Sequence, residues 1–329
     1  MSNSENIDII DMYDGVPVEL QNLKEKFLGQ IQQISADHFI SQNEFRRDIF
    51  AKFKTWINFK ENRRRTKFAK NFIYKNSFNI PKDQGFLFLQ KPGWKEIESA
   101  VQCGQDGLKN ISKENLFLSK EFISKSLISP QALDLNSPIL KLALSPFILE
   151  SVSQYLGTAP LLHRMEVRYS RFSNNDLYKS QLYHCDTAER SQVKVFIYCS
   201  KIDNECGPLT FINAHDSAKI RKKLKYKFGG EQTYITDQEI ESNPYYQGSI
   251  TACGNIGDVV FIDTGKCFHM GSRILNEKSY RLVILLQYVT ISGFEVPLIL
   301  RSTKTPFAHL NTPHSKLSDL QRFALDGNY

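Results

Sequence analysis

Short apolar runs, each bounded by glycine, proline or polar residues, recur along the chain and predict a series of β-strands. The first run is Phe86-Leu87-Phe88-Leu89, and the later ones lie at about 161–171, 180–185, 192–199, 208–212, 257–262 and 281–289. Short strands separated by turn residues are typical of an antiparallel sandwich or barrel. The pattern therefore predicts a mainly β core.

Helical patterns precede and interrupt these strands. Helical spacing extends to about Lys75, and residues 94–106 form a further predicted helix. Ser145 and Pro146 have the residue types of an N-cap and a first helical position, and Gly157 is a helix stop. Between them, one helical face is apolar, comprising Ile148, Leu149, Val152, Tyr155 and Leu156. We expect such helices to pack against one sheet.

The order of these elements predicts one β domain with an addition at each end. Residues 1–84 are expected to be an N-terminal helical extension, which begins with a polar, acidic leader to about Val18. The domain is expected over residues 85–300, followed by a C-terminal tail at 301–329. Within the domain, residues 216–250 are rich in Lys, Tyr, Gln and Ser and are predicted to be a lid insertion.

Four side chains with metal-site chemistry lie on or beside the predicted strands. His184 and Asp186 are two residues apart, so on a strand both point to the same face and Cys185 points to the other. His269 follows one apolar run and Arg281 opens another. Two imidazoles and one carboxylate can occupy one face of a ferrous ion and leave the opposite positions open. A His-x-Asp pair alone has little weight, but the four residues in this order predict a metal site.

These segments resemble the phytanoyl-CoA dioxygenase-like family of Fe(II)/2-oxoglutarate-dependent oxygenases. The resemblance covers residues 85–292, and five segments carry it: Gln181 to Asp186, Gln192 to Tyr198, Cys206 to Ile212, Gly257 to His269, and Tyr280-Arg281. It implies a double-stranded β-helix, the cupin-like jelly roll, with flanking helices.

The resemblance also implies the roles of the four residues. His184, Asp186 and His269 would bind Fe(II), and Arg281 would pair with the distal carboxylate of 2-oxoglutarate, because a guanidinium matches a carboxylate with two hydrogen bonds. Such a dioxygenase oxidises an unactivated C–H bond by hydroxylation, desaturation or oxidative cyclisation and releases succinate and CO2. Its partners would be 2-oxoglutarate, dioxygen and a small-molecule substrate.

Further basic and aromatic residues are candidates for the pocket. Lys194, Phe196 and Tyr198 share a face if their strand alternates, and we expect them beside the co-substrate; a packed sheet face with an exposed lysine is the alternative. The candidates for binding an anionic substrate are Arg164, Arg168 and Arg273, and surface ion pairs are the alternative for each. The predicted substrate is a small anionic metabolite.

Two other functional classes fit parts of the pattern. A zinc-type metal-dependent hydrolase also uses histidine and carboxylate ligands, but it has no need of Arg281. A non-catalytic jelly-roll binding or sensor protein would keep the fold without needing all three ligands and Arg281. The joint presence of the four residues favours the dioxygenase.

Composition agrees with an ordinary globular enzyme. The chain has 329 residues, of which 41% are hydrophobic and 23% charged, and these are usual values for such proteins. No run approaches the ~18 apolar residues of a membrane span. The first residues lack the features of a secretory signal, and six cysteines show no CxxC spacing. Reduced thiols and a cytoplasmic location are therefore expected.

The net charge of +7 is concentrated in two basic segments. The first contains Lys52, Lys54, Lys60, Arg63, Arg64, Arg65, Lys67 and Lys70, interleaved with aromatic residues. It could form a nucleic-acid surface, but an amphipathic helix with a solvated basic face is favoured. The second, Arg221 to Lys227, is predicted to be exposed between strands, and Asn213 to Ser217, which contains His215, is predicted to be a loop.

Overall fold

The computed structural model describes residues 43–110, 122–129, 133–229, 233–296, 307–310 and 316–325. In this part of the chain, eight strands form two antiparallel sheets. The strands are β1 (Phe86–Leu89), β2 (Leu161–Arg171), β3 (Val193–Tyr198), β4 (Leu209–Phe211), β5 (Ile250–Ala252), β6 (Val259–Asp263), β7 (His269–Met270) and β8 (Tyr280–Val289). The larger sheet has the order β1-β6-β3-β8-β2, and the smaller has the order β5-β4-β7.

Helices cover the outer face of the larger sheet and both ends of the described chain. They are α1 (Glu44–Ile57), α2 (Phe59–Asn71), α3 (Lys95–Asn110), α4 (Pro138–Ala143), α5 (Pro146–Leu156), α6 (Ala214–Leu224), α7 (Asp237–Glu241) and α8 (Asp319–Leu325). None of these described helices has both the length and the apolarity needed to cross a membrane.

The three inner strands of the larger sheet, β3, β6 and β8, are buried on both faces. On β6, Val259 and Phe261 pack among the helices, whereas Val260 and Ile262 pack between the two sheets. The same alternation places Val195 and Ile197 of β3 against the helices and its intervening residues between the sheets. This double burial explains why the strands read as continuous apolar runs. Two facing antiparallel sheets with flanking helices confirm the predicted double-stranded β-helix.

Helix α5 begins and ends as its sequence predicts. Ser145 is the N-cap in an extended conformation, and Pro146 follows it in the first turn. Gly157 closes the helix with a φ of 71° and donates its backbone N–H to Ser153 O at 2.8 Å. A glycine is favoured here because this left-handed conformation strains residues that carry a Cβ.

The predicted strand at 180–185 is wrong. Lys179–Gln181 form a single 3₁₀ turn, and only isolated bridges follow at Tyr183 and His184. Strands β5 and β7 have three and two residues, and the apolar pattern did not predict them. Elements this short hold too few residues to show a periodicity.

The expected loop around His215 is also wrong, because residues 214–224 are helical. The side chain of Asn213 accepts a hydrogen bond from Asp216 N at 2.8 Å, which caps the helix start. The basic run that follows is not wholly exposed, since Arg221 and Tyr226 are buried. Polar residues in a first helical turn resemble a loop unless the cap is recognised.

The basic face of α1 is not solvated at Lys54, contrary to expectation. This side chain is fully buried and its Nζ donates to the backbone carbonyls of Gly293 and Val296. On the opposite side, Phe53 and Trp56 are 46% and 72% exposed. The helix therefore turns this lysine inward, where its ammonium group donates to two main-chain carbonyls that follow β8.

Arg65 of α2 is buried for the same reason. Its Nη1 donates to Ala159 O at 3.1 Å and to Phe323 O at 3.0 Å, and its Nε donates to Glu61 at 2.7 Å. Phe323 belongs to α8, so Arg65 joins the N-terminal helices to the C-terminal one. The expectation of a solvated basic face is wrong for this residue also.

Replacing Lys54 with alanine should destabilise the protein. The change removes two charge-assisted hydrogen bonds, to the carbonyls of Gly293 and Val296, and each is worth ~1.5–3 kcal/mol. Urea unfolding followed by circular dichroism measures the loss. Lys52→Ala is the matched control, because Lys52 is exposed on the same helix, and it should shift stability by no more than ~0.5 kcal/mol. Equal unfolding midpoints for the two variants would contradict the role of Lys54.

Candidate metal centre

The three predicted ligands come together where a loop meets the smaller sheet. His184 N donates to His269 O at 3.0 Å, and His269 N donates to His184 O at 2.9 Å. This reciprocal pair adds the 183–184 segment to the edge of β7. Asp186 N donates to Thr264 O at 2.8 Å, which fixes the carboxylate beside the turn after β6. Backbone hydrogen bonds therefore position all three side chains.

Their ligand atoms all lie within 4.8 Å of one another. Asp186 Oδ1 is 3.9 Å from His184 Nε2, and Asp186 Oδ2 is 3.7 Å from His269 Nε2. His184 Nδ1 lies 2.9 Å from Leu182 O, and His269 Nδ1 lies 3.1 Å from Cys267 O. A carbonyl only accepts, so each Nδ1 carries the proton and each Nε2 presents its lone pair to the cluster. The arrangement fits one divalent metal ion.

The charges of the cluster also suit a metal. Burial opposes ionisation of Asp186, but Lys194, His269 and His184 together outweigh it, and they hold the pKa of this carboxyl well below its usual range. Burial, together with neighbouring His184, lowers the pKa of His269 to about 3. An ionised carboxylate and a neutral imidazole are the protonation states that metal ligation requires.

Lys194 is the predicted pocket residue that contacts the cluster. Its Nζ lies 2.7 Å from Asp186 Oδ2, and its side chain is 16% exposed. Phe196 and Tyr198 share its face of β3, but they lie deeper, in the core between the sheets. Tyr198 Oη donates to Ala252 O at 2.7 Å, which ties the larger sheet to the smaller one.

Arg281 is the second residue of β8 and is buried. Its Nη1 donates to Gly207 O at 2.9 Å and its Nη2 to Ser272 Oγ at 2.5 Å, while its Nε has no hydrogen-bond partner. A Cβ on Gly271 would lie 2.9 Å from Nη1, so only glycine permits this approach. Gly271 is itself two residues after His269.

The charge of Arg281 is uncompensated among the described residues. No described carboxylate forms an ion pair with it. Burial lowers its pKa to about 10, so the guanidinium remains protonated at neutral pH. A buried cation without an anion is costly, which favours an anionic ligand at this position.

Arg164 and Arg168 lie on the face of β2 that continues the inner face of the larger sheet. Arg164 and Lys194 both pair in register with Gln287 of β8, so the three residues form a row across neighbouring strands. Arg164 Nη2 contacts Glu295 at 2.5 Å. Arg168 pairs with Glu166 at 2.9 Å. Both arginines thus have carboxylate partners within the protein.

Arg273 forms a two-pronged ion pair with Asp237, at 2.6 and 2.8 Å, and donates to Gln181 O at 2.5 Å. The predicted lid therefore has a fixed point at α7. Tyr183 and Ile235 exchange backbone hydrogen bonds at 3.0 and 2.8 Å, which fastens the same region to the metal-ligand loop.

Sequence reasoning missed three residues at this site. Glu166 lies between Arg164 and Arg168 on one strand face. Its spacing of two residues from each arginine could have predicted that the three side chains are neighbours. Glu295 had no such signal, because its contact with β2 spans more than 130 positions. Tyr234, whose ring centroid is 5.6 Å from that of His184, lies in the predicted lid and no pattern marked it.

No protein-family model matches the chain, and no curated protein is similar to it. Among solved structures, the epimerase SnoN in complex with Fe3+, alpha ketoglutarate and nogalamycin RO has a TM-score of 0.48 and 15% identity, covering 72% of this chain and 89% of that one. EctD from S. alaskensis with 2-oxoglutarate and 5-hydroxyectoine has a TM-score of 0.46 and 15% identity, covering 73% and 83%. HygX from Streptomyces hygroscopicus with nickel and 2-oxoglutarate has a TM-score of 0.42 and 17% identity, covering 63% and 84%. Similarity this low carries no argument about the chemistry of this chain.

The cluster predicts that His184→Ala, Asp186→Ala and His269→Ala each weaken Fe(II) binding, because each removes one of three protein ligands. Loss of a ligand should lower affinity at least ~10-fold, a scale already reached when partners of ligands are lost. Anaerobic calorimetric titration with Fe(II) measures it. His215→Ala is the matched control, since His215 also precedes an aspartate but is exposed on α6. Wild-type affinity in Asp186→Ala would remove that residue from the ligand set.

Proposed function

We propose that the protein is an Fe(II)/2-oxoglutarate-dependent dioxygenase that oxidises an unactivated C–H bond of a small, anionic metabolite. One observation carries the proposal: Arg281 is buried, protonated and without a carboxylate partner, close to a cluster of two imidazoles and one carboxylate. A zinc-type hydrolase would need the cluster but not an uncompensated buried arginine beside it. A non-catalytic jelly-roll protein would need neither.

His184, Asp186 and His269 would hold the metal through Nε2, a carboxylate oxygen and Nε2. With 2-oxoglutarate and dioxygen, bound iron supplies the oxidising power for C–H cleavage, and succinate and CO2 are released. The protein's own contribution is to orient the two imidazoles through Leu182 O and Cys267 O. These contacts fix the orientation of each ring before a metal binds, so metal binding costs little further conformational entropy.

Arg281 would bind the distal carboxylate of 2-oxoglutarate. Its two Nη atoms already donate to Gly207 O and Ser272 Oγ, which hold the guanidinium plane in one orientation. Nε has no partner, and the absence of a Cβ at Gly271 keeps the approach between Arg281 and the strand of His269 close. A rigid, charged donor of this kind suits a carboxylate.

Lys194 adds a second positive charge to the site. Its ion pair with Asp186 keeps that carboxylate ionised and turned toward the histidines. The ammonium group also favours an anionic co-substrate or substrate beside the metal. Phe196 and Tyr198, deeper on the same face, would support this pocket from the core rather than contact a ligand.

The row formed by Arg164, Gln287 and Lys194 leads from the edge strand β2 toward the cluster. The side chain of Arg164 is 47% exposed, and the negative charge of Asp186 contributes to raising its pKa. Its contact with Glu295 is at the edge of the sheet, where solvent screens the pair. This row would bind a carboxylate-bearing substrate, and Tyr234 with the 233–237 segment would cover it.

The motif order further supports assignment to the phytanoyl-CoA dioxygenase-like branch and a role in biosynthesis. The retained carboxylate Asp186 favours hydroxylation, desaturation or oxidative cyclisation over halogenation, which needs an open position in its place. The six cysteines are free, and most of their side chains are at least half-buried. This agrees with a reducing, cytoplasmic setting.

Replacing Arg281 with alanine should raise the 2-oxoglutarate requirement and leave Fe(II) affinity nearly unchanged. Loss of a buried charge-assisted pair costs about 2–5 kcal/mol, which is a factor of roughly 30 or more at about 1.4 kcal/mol per tenfold. Arg281→Lys should recover part of the affinity, because an ammonium lacks the two-pronged geometry. Anaerobic titration of 2-oxoglutarate into the Fe(II)-loaded protein measures the change.

Arg273→Ala is the control for this experiment, since Arg273 also follows His269 in the chain but is paired with Asp237. It should change 2-oxoglutarate affinity much less than Arg281→Ala does. If the two variants behave alike, or if Arg281→Ala binds 2-oxoglutarate normally, the proposed function loses its main support.

The substrate class is tested by an anaerobic binding screen of small carboxylates, amino acids and acyl-CoA thioesters. We expect preferential binding of a small carboxylate, and a loss on the order of tenfold, or ~1.4 kcal/mol, in Arg164→Gln. Lys201→Gln is the control, because Lys201 is exposed beyond the other end of β3. Preferential binding of neutral lipids or of a polypeptide would overturn the anionic-metabolite hypothesis.

A further inference from the structure

A cavity of about 600 Å³ lies between α1 and the loops that follow the metal-ligand segment. None of the proposed metal ligands lines it. Its walls include Arg47 and Ala51 of α1, residues 189–191, and Gly265 and Lys266. This volume is within the usual range of small-molecule sites, which is roughly 300–1,000 Å³.

The lining of this cavity is strongly basic. It contains six cationic side chains against three carboxyl groups. The cations are Arg47, Lys52, Lys82, Arg190, Arg221 and Lys266, and the carboxyl groups are Glu44, Asp83 and Glu189. The carboxyl group of Glu189 is already hydrogen-bonded, because it accepts from the backbone N–H of Thr290 at 2.5 Å. Arg190 and Lys266 are in turn paired with Asp48 and Asp263, so the positive charge that faces the cavity comes from Arg47, Lys52, Lys82 and Arg221.

Two arginines are built into the inner wall. Arg47 and Arg221 are only 1% and 5% exposed. Arg47 donates to Thr187 O at 3.2 Å and stacks its guanidinium over the ring of Phe228, 4.0 Å from the centroid. Arg221 lies 3.7 Å from Cys185 Sγ and 3.6 Å from Glu44, and its Nε has no hydrogen-bond partner. A buried guanidinium with an unused donor needs an acceptor.

Two lysines converge on another wall. The Nζ atoms of Lys82 and Lys266 lie 4.1 and 5.4 Å from the ring centroid of Tyr155. Partial burial and the nearby charge of Lys266 lower the pKa of Lys82. The carboxylate next to them, Asp263, also accepts from Tyr155 Oη at 2.9 Å and from Ser191 Oγ at 2.6 Å. Asp263 also lies 3.4 Å from Lys266 Nζ and offsets its charge, whereas no described carboxylate forms an ion pair with Lys82.

We propose that this cavity binds a small polyanion, bearing either phosphate groups or several carboxylates. Two arginines offer fixed planar donors, and two lysines offer mobile charges on a second wall. A ligand with two or more anionic groups would contact both walls at once. The site is separate from the metal cluster, so its occupation requires neither iron nor 2-oxoglutarate.

The test is calorimetric titration of the full chain with inorganic pyrophosphate and, separately, with citrate, in EDTA and at low salt. We expect saturable binding at one site for at least one of the two probes, weakened by added salt. The preferred probe tells whether phosphate or carboxylate is the natural chemistry. EDTA excludes binding through a metal ion.

The double variant Lys82→Gln/Lys266→Gln should weaken binding on the order of tenfold or more, because it removes two charge-assisted contacts. Lys52→Glu, on the exposed rim, changes the cavity charge without disturbing a buried contact and should also weaken binding. Lys95→Glu is its matched control, because Lys95 is exposed on α3 and carries the same change in net charge. Arg281→Ala should bind the probes as the wild type does.

Four results would overturn the proposal. They are no saturable binding of either probe, equal weakening by Lys52→Glu and Lys95→Glu, loss of binding in Arg281→Ala, and binding that appears only after residues 1–18 are removed. The third would place the anion at the proposed 2-oxoglutarate site. The fourth would show that the acidic leader of the chain is the occupant, since it carries Glu5, Asp8, Asp11 and Asp14.

Discussion

The reciprocal backbone hydrogen bonds between His184 and His269 are the interaction on which the candidate site depends. They join two residues that are far apart in the chain and set their imidazoles side by side, with ring centroids 4.3 Å apart. The hydrogen bond from Asp186 N to Thr264 O then adds the carboxylate. Because main-chain groups make these contacts, the ligand geometry is held by the sheet rather than by the side chains themselves. A site built on rigid elements is prepared for a metal before the metal binds.

The buried cations of this protein differ in what surrounds them, and the difference has functional meaning. Lys54 and Arg65 donate to main-chain carbonyls where helices meet the core. Arg65 also has a carboxylate partner in Glu61. Arg281 has a carbonyl and a hydroxyl as partners but no carboxylate among the described residues. Neutral acceptors satisfy its donors without neutralising its charge. A carboxylate ligand would supply the missing charge.

The chain from His184 to Ser191 separates two environments. His184 and Asp186 face the metal cluster, whereas Cys185 points the other way and lies 3.7 Å from Arg221. Further along, Glu189 to Ser191 line the basic cavity behind α1. One segment serves both sides because Cys185 points away from the cluster and the bends at 187–191 then turn the chain toward the cavity. Helix α1 lines the second side of this segment through residues such as Arg47 and Ala51.

Much of this organisation could be predicted from the sequence. The apolar runs of β2, β3, β6 and β8 are long enough to indicate strands. Ser145, Pro146 and Gly157 mark the ends of α5 through local backbone preferences. The order of His184, Asp186, His269 and Arg281 marked the candidate site, and the alternation on either side of Cys185 was predicted. Strands β5 and β7 were missed, because two or three residues carry no periodicity and their pairing depends on partners elsewhere.

What only the tertiary structure decided is which charges meet. The sequence does not distinguish the four arginines near the site. In the structure, Arg164 pairs with Glu295, Arg168 with Glu166 and Arg273 with Asp237. Arg281 forms no ion pair with a carboxylate among the described residues. Likewise, nothing local distinguishes Lys52 on the surface from Lys54 in the core. The sequence by itself determined the elements and the chemistry available to them, because periodicity and capping act over a few residues. The pairing and burial of charges depend on contacts between distant segments, and these exist only in the folded chain.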